Sequence, residues 1–295
     1  VPRRSLPHWP LSIHAMNPIQ PDWSARAVSP AAAVAGIRSG TNIFIHGAAA
    51  TPTALVEALA ARRDLERVRI YHLHTAGPAP FAAPGREREF RSVSLFTGPP
   101  LRAAVAEGRA DFVPVFLSDI PHLFLSGRVK LDAALLCLSR PDAHANCSLG
   151  TSCDAAKAAA ETAGLVIAEF NARMPRTHGN NLVPFSRIDA FTLTDRPLHE
   201  HAVDASGEIE SRIGELVAGL VEDGSTLQMG IGAIPDAALS RMMHKHDLGI
   251  HTEMFSDRII ELVAAGAITN RLKKVGVGRI VTSFINGTQR LYDFV

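Results

Sequence analysis

Two features in the last quarter of the chain combine residue types that chemistry needs. Gly230-Ile231-Gly232-Ala233-Ile234-Pro235 links a strand-like run to a helix-like run, and Glu253 directly follows the next strand-like run. Glycines let a backbone approach a ligand closely. Loop N–H groups at a helix N-terminus suit a phosphate or a developing oxyanion. A carboxylate beside such a loop has the makings of a nucleophile. The third glycine of GxGxxG is missing, so a dinucleotide site is poorly supported, and no Gly-Lys-Ser/Thr follows the loop, so it is no P-loop. The residues alone leave other readings open. A bare strand-to-helix turn explains both glycines, and Glu253 also fits a surface carboxylate favoured by a helix dipole.

The remaining candidates are weaker. Ser118-Asp119 and His122 are neighbours in sequence, but no GxSxG elbow surrounds Ser118. His144, Cys147 and Ser148 fall after a strand and read as a structural loop, because a thiol nucleophile needs a spatially placed base. His251 points away from the Thr252 face of its strand and reads as a core histidine. The three cysteines, Cys137, Cys147 and Cys153, form no zinc spacing. Their odd, sparse count suggests a reduced compartment and no disulfide framework, and no metal site is expected.

Alternating β-rich and helical runs must position these residues, which predicts an α/β architecture. Strands are expected at 42–46, 68–74, 133–139, 165–170 and 188–194, with helices at 53–63 and 154–163. Pro52 sits well at a helix start. A second region begins near Gly207, with a helix over 208–221, strands over 226–229 and 248–252, and helices over 236–244 and 258–264. Strands 226–229 and 248–252 flank one helix, so they are expected to be parallel and to end on the same sheet edge, where open α/β sheets bind ligands. The Gly230 loop and Glu253 should therefore meet in one crevice.

Gly47, Pro52, Asp64 and Leu65 are each followed 183 residues later by Gly230, Pro235, Asp247 and Leu248. Both sets read strand, Gly loop, Pro, helix, Asp-Leu, strand, which favours a duplicated α/β unit. About 150 residues separate Gly47 from the second region, but 65 follow Gly230, so the second domain is expected to be incomplete. The expected division is a disordered, Pro-rich extension over 1–30, an N-terminal domain over 31–204 and an incomplete C-terminal domain over 205–295.

Composition bounds the function. The chain has 295 residues, 46% of them hydrophobic and 20% charged, with a net charge of +1. That balance supports a sizeable core. It argues against a broad nucleic-acid footprint, which needs clustered Lys and Arg. No apolar run reaches the roughly 18 residues of a membrane span, and no apolar segment follows Arg3 and Arg4 to make a secretory signal.

His251-Thr252-Glu253-Met254-Phe255-Ser256-Asp257, preceded by the Gly230–Pro235 loop, closely resembles the acetyl-CoA hydrolase/transferase family. Gly108-Arg109-Ala110-Asp111-Phe112-Val113-Pro114, Cys147-Ser148-Leu149-Gly150 and Met174-Pro175-Arg176-Thr177-His178-Gly179 resemble further signatures of that family. The resemblance runs from about residue 35 to the end. It implies two tandem domains of the CoA-transferase (NagB/RpiA-like) type with mostly parallel sheets. It implies Glu253 as the catalytic glutamate that forms a glutamyl-CoA thioester. Gly230, Ile231, Gly232, Ala233 and Ile234 match the loop that contacts coenzyme A. The implied activity is CoA transfer between a short-chain acyl-CoA and a small carboxylate, with acetyl-CoA hydrolysis or an inactive fragment as alternatives. Coenzyme A would be a substrate, with no permanently bound cofactor. A cytoplasmic homo-oligomer is implied, without nucleic-acid or membrane partners. Two departures stand out: His144-Ala145-Asn146-Cys147 replaces the usual His-Gly-Tyr-Cys, and Gly98-Pro99-Pro100 the usual Gly-Pro-Asn. No counterpart of the family's C-terminal Gly-rich segment is found, which fits the expected incompleteness.

Overall fold

Apolar and β-branched runs become strands where turn residues bracket them, and the small-residue runs between them become helices. A computed structural model describes residues 22–201 and 206–295. In the first region the strands are β1 (Asn42–Ile45), β2 (Val68–Leu73), β3 (Phe90–Phe96), β4 (Ala110–Phe112), β5 (Ala133–Leu138), β6 (Asn146–Ser148), β7 (Leu165–Asn171), β8 (Leu182–Pro184) and β9 (Ala190–Thr194). The α-helices are α1 (Pro30–Ala33), α2 (Thr53–Ala61), α3 (Pro99–Ala106), α4 (Ile120–Leu125) and α5 (Ala156–Thr162). Seven strands form one sheet in the order β4-β3-β2-β1-β5-β7-β9, every neighbouring pair parallel. All six residues of β5 are buried, as expected of a central parallel strand covered on both faces.

The second region contains α6 (Glu208–Leu220), β10 (Thr226–Leu227), α7 (Ala233–Ser240), β11 (Gly249–Ile250), β12 (Met254–Phe255), α8 (Arg258–Ala264), β13 (Phe284–Ile285) and α9 (Gln289–Phe294). β10 pairs with β11 and β12 with β13, both in parallel. The unit β10–α7–β11 thus repeats β1–α2–β2 in order and direction. The expected α/β class with parallel sheets holds. One buried cluster joins Ala49, Cys137 and Leu198 of the first region to Leu239, Ile250 and Leu291 of the second.

Several expectations need correction. Of the extension expected over 1–30, residues 1–21 lie outside the described residues, but residues 22–30 pack against the first region. Trp23 sets its ring against Phe170, Phe185 and Phe191 at centroid separations of 5.5, 5.8 and 5.7 Å. Aromatic burial of this size holds a short segment down without a long helix. The boundary expected between residues 204 and 205 also lies outside the described residues. The helix expected over 236–244 spans Ala233–Ser240, with Pro235 in its first turn, where a missing N–H costs nothing. Cys147 and Ser148, read as loop, belong to β6, which pairs antiparallel with β8.

Gly47 marks where the first Gly loop touches the sheet: a Cβ there would sit 2.0 Å from the Leu73 carbonyl oxygen. Among the described residues no helix is long and apolar enough to cross a membrane.

Candidate active site

The second Gly loop begins where β10 ends. Gly232 occupies the N-cap of α7 with φ +119° and ψ −179°, a conformation open essentially to glycine alone. In the first turn of α7 Pro235 has no N–H, and among the described residues the Ala233 and Ile234 N–H groups have no acceptor and can donate to a ligand. Glu253 lies between β11 and β12. One side chain ties these two places together. The Thr252 hydroxyl accepts from the Met229 N–H at 3.0 Å and lies 2.7 Å from the Met229 carbonyl oxygen. The residue before Gly230 is therefore hydrogen-bonded to the residue before Glu253. The expected meeting of loop and carboxylate rests on this contact.

The backbone at Glu253 is held with unusual density. Its carbonyl oxygen accepts from the N–H groups of Ser283 and Phe284, both at 3.0 Å. The hydroxyls of Thr282 and Ser283 also donate to it, at 2.8 and 2.9 Å. The side chain is half-buried. Among the described residues the Glu253 carboxyl has no hydrogen-bond or ion-pair partner, and a fixed backbone with such a carboxyl is what a nucleophile needs: orientation without a competing partner.

Strand β13 carries this region onto the first domain. Ser152 bridges antiparallel to Phe284, the Ile285 N–H donates to the Thr151 oxygen at 2.8 Å, and the Cys153 N–H donates to the Ser283 oxygen at 2.9 Å. The two loop motifs of the first domain build the platform beneath. Ser148 Oγ accepts from the N–H groups of Gly150 and Thr177 and from Asn181 Nδ2. Gly150 has φ +64°, and a Cβ there would sit 2.1 Å from Met174 Sδ. The segments 147–150 and 174–179 thus lock together and present Thr151 and Ser152 to Phe284 and Ile285.

Sequence reasoning missed His74 and Asp154. His74 follows β2 and packs against Phe96 and Phe284, with ring centroids 4.2 and 4.9 Å away. Burial holds its imidazole below the ordinary histidine value, against the opposing charges of Asp154 and Glu253. The signal available was the His72-Leu73-His74 alternation at the mouth of a strand. Only the outer histidine is partly exposed, because His72 is buried inside the sheet.

The other candidates are not assembled. Ser118 and His122 are both exposed and unpaired with each other. Cys147 is buried, and burial pushes its thiol well above the range in which thiolate forms, as it does for Cys137. His144 is exposed in a turn. His251, expected in the core, is exposed, because it lies just past the two-residue β11, where it bridges Val281 through its backbone alone. Among the described residues no group of three or more His, Cys, Asp or Glu is placed to hold a metal ion.

The chain is similar to known proteins over most of its length. The family model described as the acetyl-CoA hydrolase/transferase N-terminal domain matches residues 14–198. The chain is 46% identical over 263 residues to a succinyl-CoA:acetate/propanoyl-CoA:succinate CoA transferase of Fasciola hepatica, a match covering 88% of this chain and 55% of the relative. It is 43% identical to a 4-hydroxybutyrate coenzyme A transferase of Clostridium kluyveri, covering 92% of this chain and 64% of that one. Its fold superposes on the crystal structure of RipA from Yersinia pestis with a TM-score of 0.86 at 30% identity, covering 92% of this chain and 65% of RipA. The chain thus spans 55 to 64% of the length of these two relatives. Matched by that model and by these relatives, the chain belongs to the acetyl-CoA hydrolase/transferase family.

Proposed function

We propose that this chain carries the nucleophile of a CoA-transferase that moves coenzyme A between a short-chain acyl-CoA and a small carboxylate. A Glu253 oxygen attacks the acyl carbonyl carbon, the C–S bond breaks, and CoA thiolate leaves a mixed anhydride. The thiolate attacks the glutamyl carbonyl, the donor acid departs as its carboxylate, and a glutamyl-CoA thioester remains. An acceptor carboxylate attacks this thioester and runs the steps in reverse. Covalent catalysis splits one difficult exchange into easier ones and predicts ping-pong kinetics. Gly230, Ile231, Gly232, Ala233 and Ile234 act as the loop that contacts coenzyme A. The observation that carries this reading is the Thr252–Met229 pairing, which draws that loop to the nucleophile.

The names of the relatives support CoA transfer for a chain of their length. Coenzyme A is a substrate here, and a soluble cytoplasmic homo-oligomer is the assembly we infer. Acetyl-CoA hydrolysis is the same chemistry with water intercepting the thioester. Release of CoA from acetyl-CoA without an acceptor separates it from transfer to labelled acetate.

The test is intact-protein mass spectrometry after mixing with acetyl-CoA and then borohydride, on this chain and on one extended to the relatives' length. The expected result is a mass change mapping to Glu253 that Glu253→Gln abolishes, because an amide cannot form the anhydride. Retention of more than about a tenth of the transfer rate, a difference of ~1.4 kcal/mol in barrier, would remove Glu253 from the role.

A further inference from the structure

His74 is a bulky residue held where bulky residues rarely sit. Its φ is +49°, in the left-handed region. The register between β2 and β3 shifts at His72/Leu73, so that Leu73 pairs with Phe96. The neighbouring Gly47 loop fixes the distortion: the Ala48 N–H donates to the His74 carbonyl oxygen at 2.7 Å, and Ala48 forms a parallel bridge with Thr75. Strain of this kind persists only where the surroundings over-determine it, and it concentrates at working sites.

Two phenylalanines pack against the ring, tilted 37° and 35° to it. Phe96, itself 52% exposed, comes from the end of β3, and Phe284 comes from β13. Phe284 is also the residue whose N–H holds the Glu253 carbonyl, so the imidazole and the nucleophile share one support. His74 is half-buried, and among the described residues neither ring nitrogen is engaged in a hydrogen bond. His72, by contrast, places both of its nitrogens against hydroxyls. A ring kept only to pack against two phenylalanines has no use for two unpaired nitrogens.

We propose that His74 is a substrate-contacting residue that donates an imidazole N–H to the acceptor carboxylate as it meets the Glu253 thioester. The role rests on the reading of Glu253 as nucleophile. One carboxylate oxygen attacks the thioester carbonyl, and the other accepts from His74. The charged groups near the ring are Asp154 and Glu253, and burial outweighs both, so the imidazole is neutral at pH 7 and carries one donor. A neutral donor holds a carboxylate without forming an ion pair that would quench the nucleophile beside it.

The binding test needs no turnover. The probe is sodium acetate at constant ionic strength, with sodium chloride as control, read by the His74 ring resonance of the histidine-labelled folded chain. Comparison with His74→Phe identifies that resonance, and the variant keeps an aromatic ring against the two phenylalanines while removing the donor. We expect a saturable shift that chloride does not reproduce, and tighter binding in Glu253→Gln, where a repelling charge is gone. Transfer from the acetate methyl to the protein should weaken by about tenfold or more in His74→Phe, the usual scale for a hydrogen bond to a charged group. A folded chain whose His74 resonance ignores acetate, or follows chloride equally, overturns the proposal. So does a His74→Phe chain that binds acetate as the parent does. If acetate moves His74 but acetyl-CoA never labels Glu253, the carboxylate site stands and the thioester reading falls.

Discussion

Ala145 is a residue out of place. It lies at φ +57° between β5 and β6, in the turn where family members usually carry glycine. Its conformation is still demanded, because the Ala145 N–H donates to the Asp142 oxygen at 2.9 Å and its carbonyl accepts from Phe185 at 2.8 Å. A left-handed conformation costs an L-residue roughly 1–2 kcal/mol, part of which glycine loses again to its freer unfolded chain. Ala145→Gly is therefore expected to stabilise the fold by about 1 kcal/mol or less in urea titration. The other departure, Gly98-Pro99-Pro100, has no such cost, since both prolines sit in the first turn of α3. At this scale much of the site was legible. Glu253 and the Gly230 loop were visible as motifs, because one short βα unit carries both. His74, Asp154 and Phe284 were not, because sequence order separates them and the fold alone joins them.

Among the elements, legibility followed the hydrophobic signal. β5 and β7 announce themselves through buried apolar runs, and both fall within a residue of where the sequence places them. β3 escaped because Ser92 and Ser94, both buried, interrupt its pattern. Ser92 is inside for a reason: its hydroxyl lies 2.8 Å from His72 Nε2 on the neighbouring strand. A buried polar pair is cheap once hydrogen-bonded, and it leaves no hydrophobic period to read. β4 is a three-residue edge strand, too short to carry a pattern.

Helix α6 was legible in extent but not in orientation. Ile209, Ile213, Leu216, Val217 and Leu220, the residues that give it an apolar face, are exposed. The face that packs is marked instead by small residues, Gly214 and Ala218. A Cβ on Gly214 would sit 2.6 Å from the Ala237 backbone of α7, while one on Gly219 meets nothing within 4 Å. Two glycines of one helix therefore predict opposite outcomes. Gly219→Ala should stabilise by up to about 1 kcal/mol through helix propensity. Gly214→Ala should destabilise by about 1–3 kcal/mol, because α6 must move off α7. Denaturant midpoints of the two variants decide the matter. Two gains of equal size would mean that α6 and α7 do not pack this closely.

For the molecule as a whole, buried histidines tie the β1–β2 sheet centre to pH. Both His46 and His72 are fully buried, His46 just past the end of β1 where the first Gly loop begins and His72 within β2. His46 donates from Nε2 to the Ser152 oxygen at 2.6 Å and accepts from the Cys137 N–H at Nδ1, so it is bonded in its neutral form. His72 lies between the Ser92 and Thr75 hydroxyls, against Phe81, and burial lowers its pKa from 6.5 to about 4. Burial lowers His46 as well, although the Asp154 charge opposes it. The unfolded chain binds protons at these sites near pH 6.5, and the folded chain does not until near pH 4 for His72. Unfolding therefore takes up protons in that window, and stability rises with pH. The contribution of His72 is complete above pH 6.5 and is lost progressively as pH falls towards 4, by on the order of 3 kcal/mol. Urea titrations at steps between pH 7 and pH 4.5 should show this loss before most carboxylates begin to protonate. His72→Asn, which keeps a polar side chain between the same hydroxyls but does not titrate, should flatten the curve while lowering the plateau. An unchanged slope in that variant would assign the acid sensitivity elsewhere. Because β1 and β2 carry the Gly47 loop and His74, acidification should loosen the first-domain wall of the crevice along with the sheet centre. The same pH steps, followed by the His74 resonance, should report that loosening.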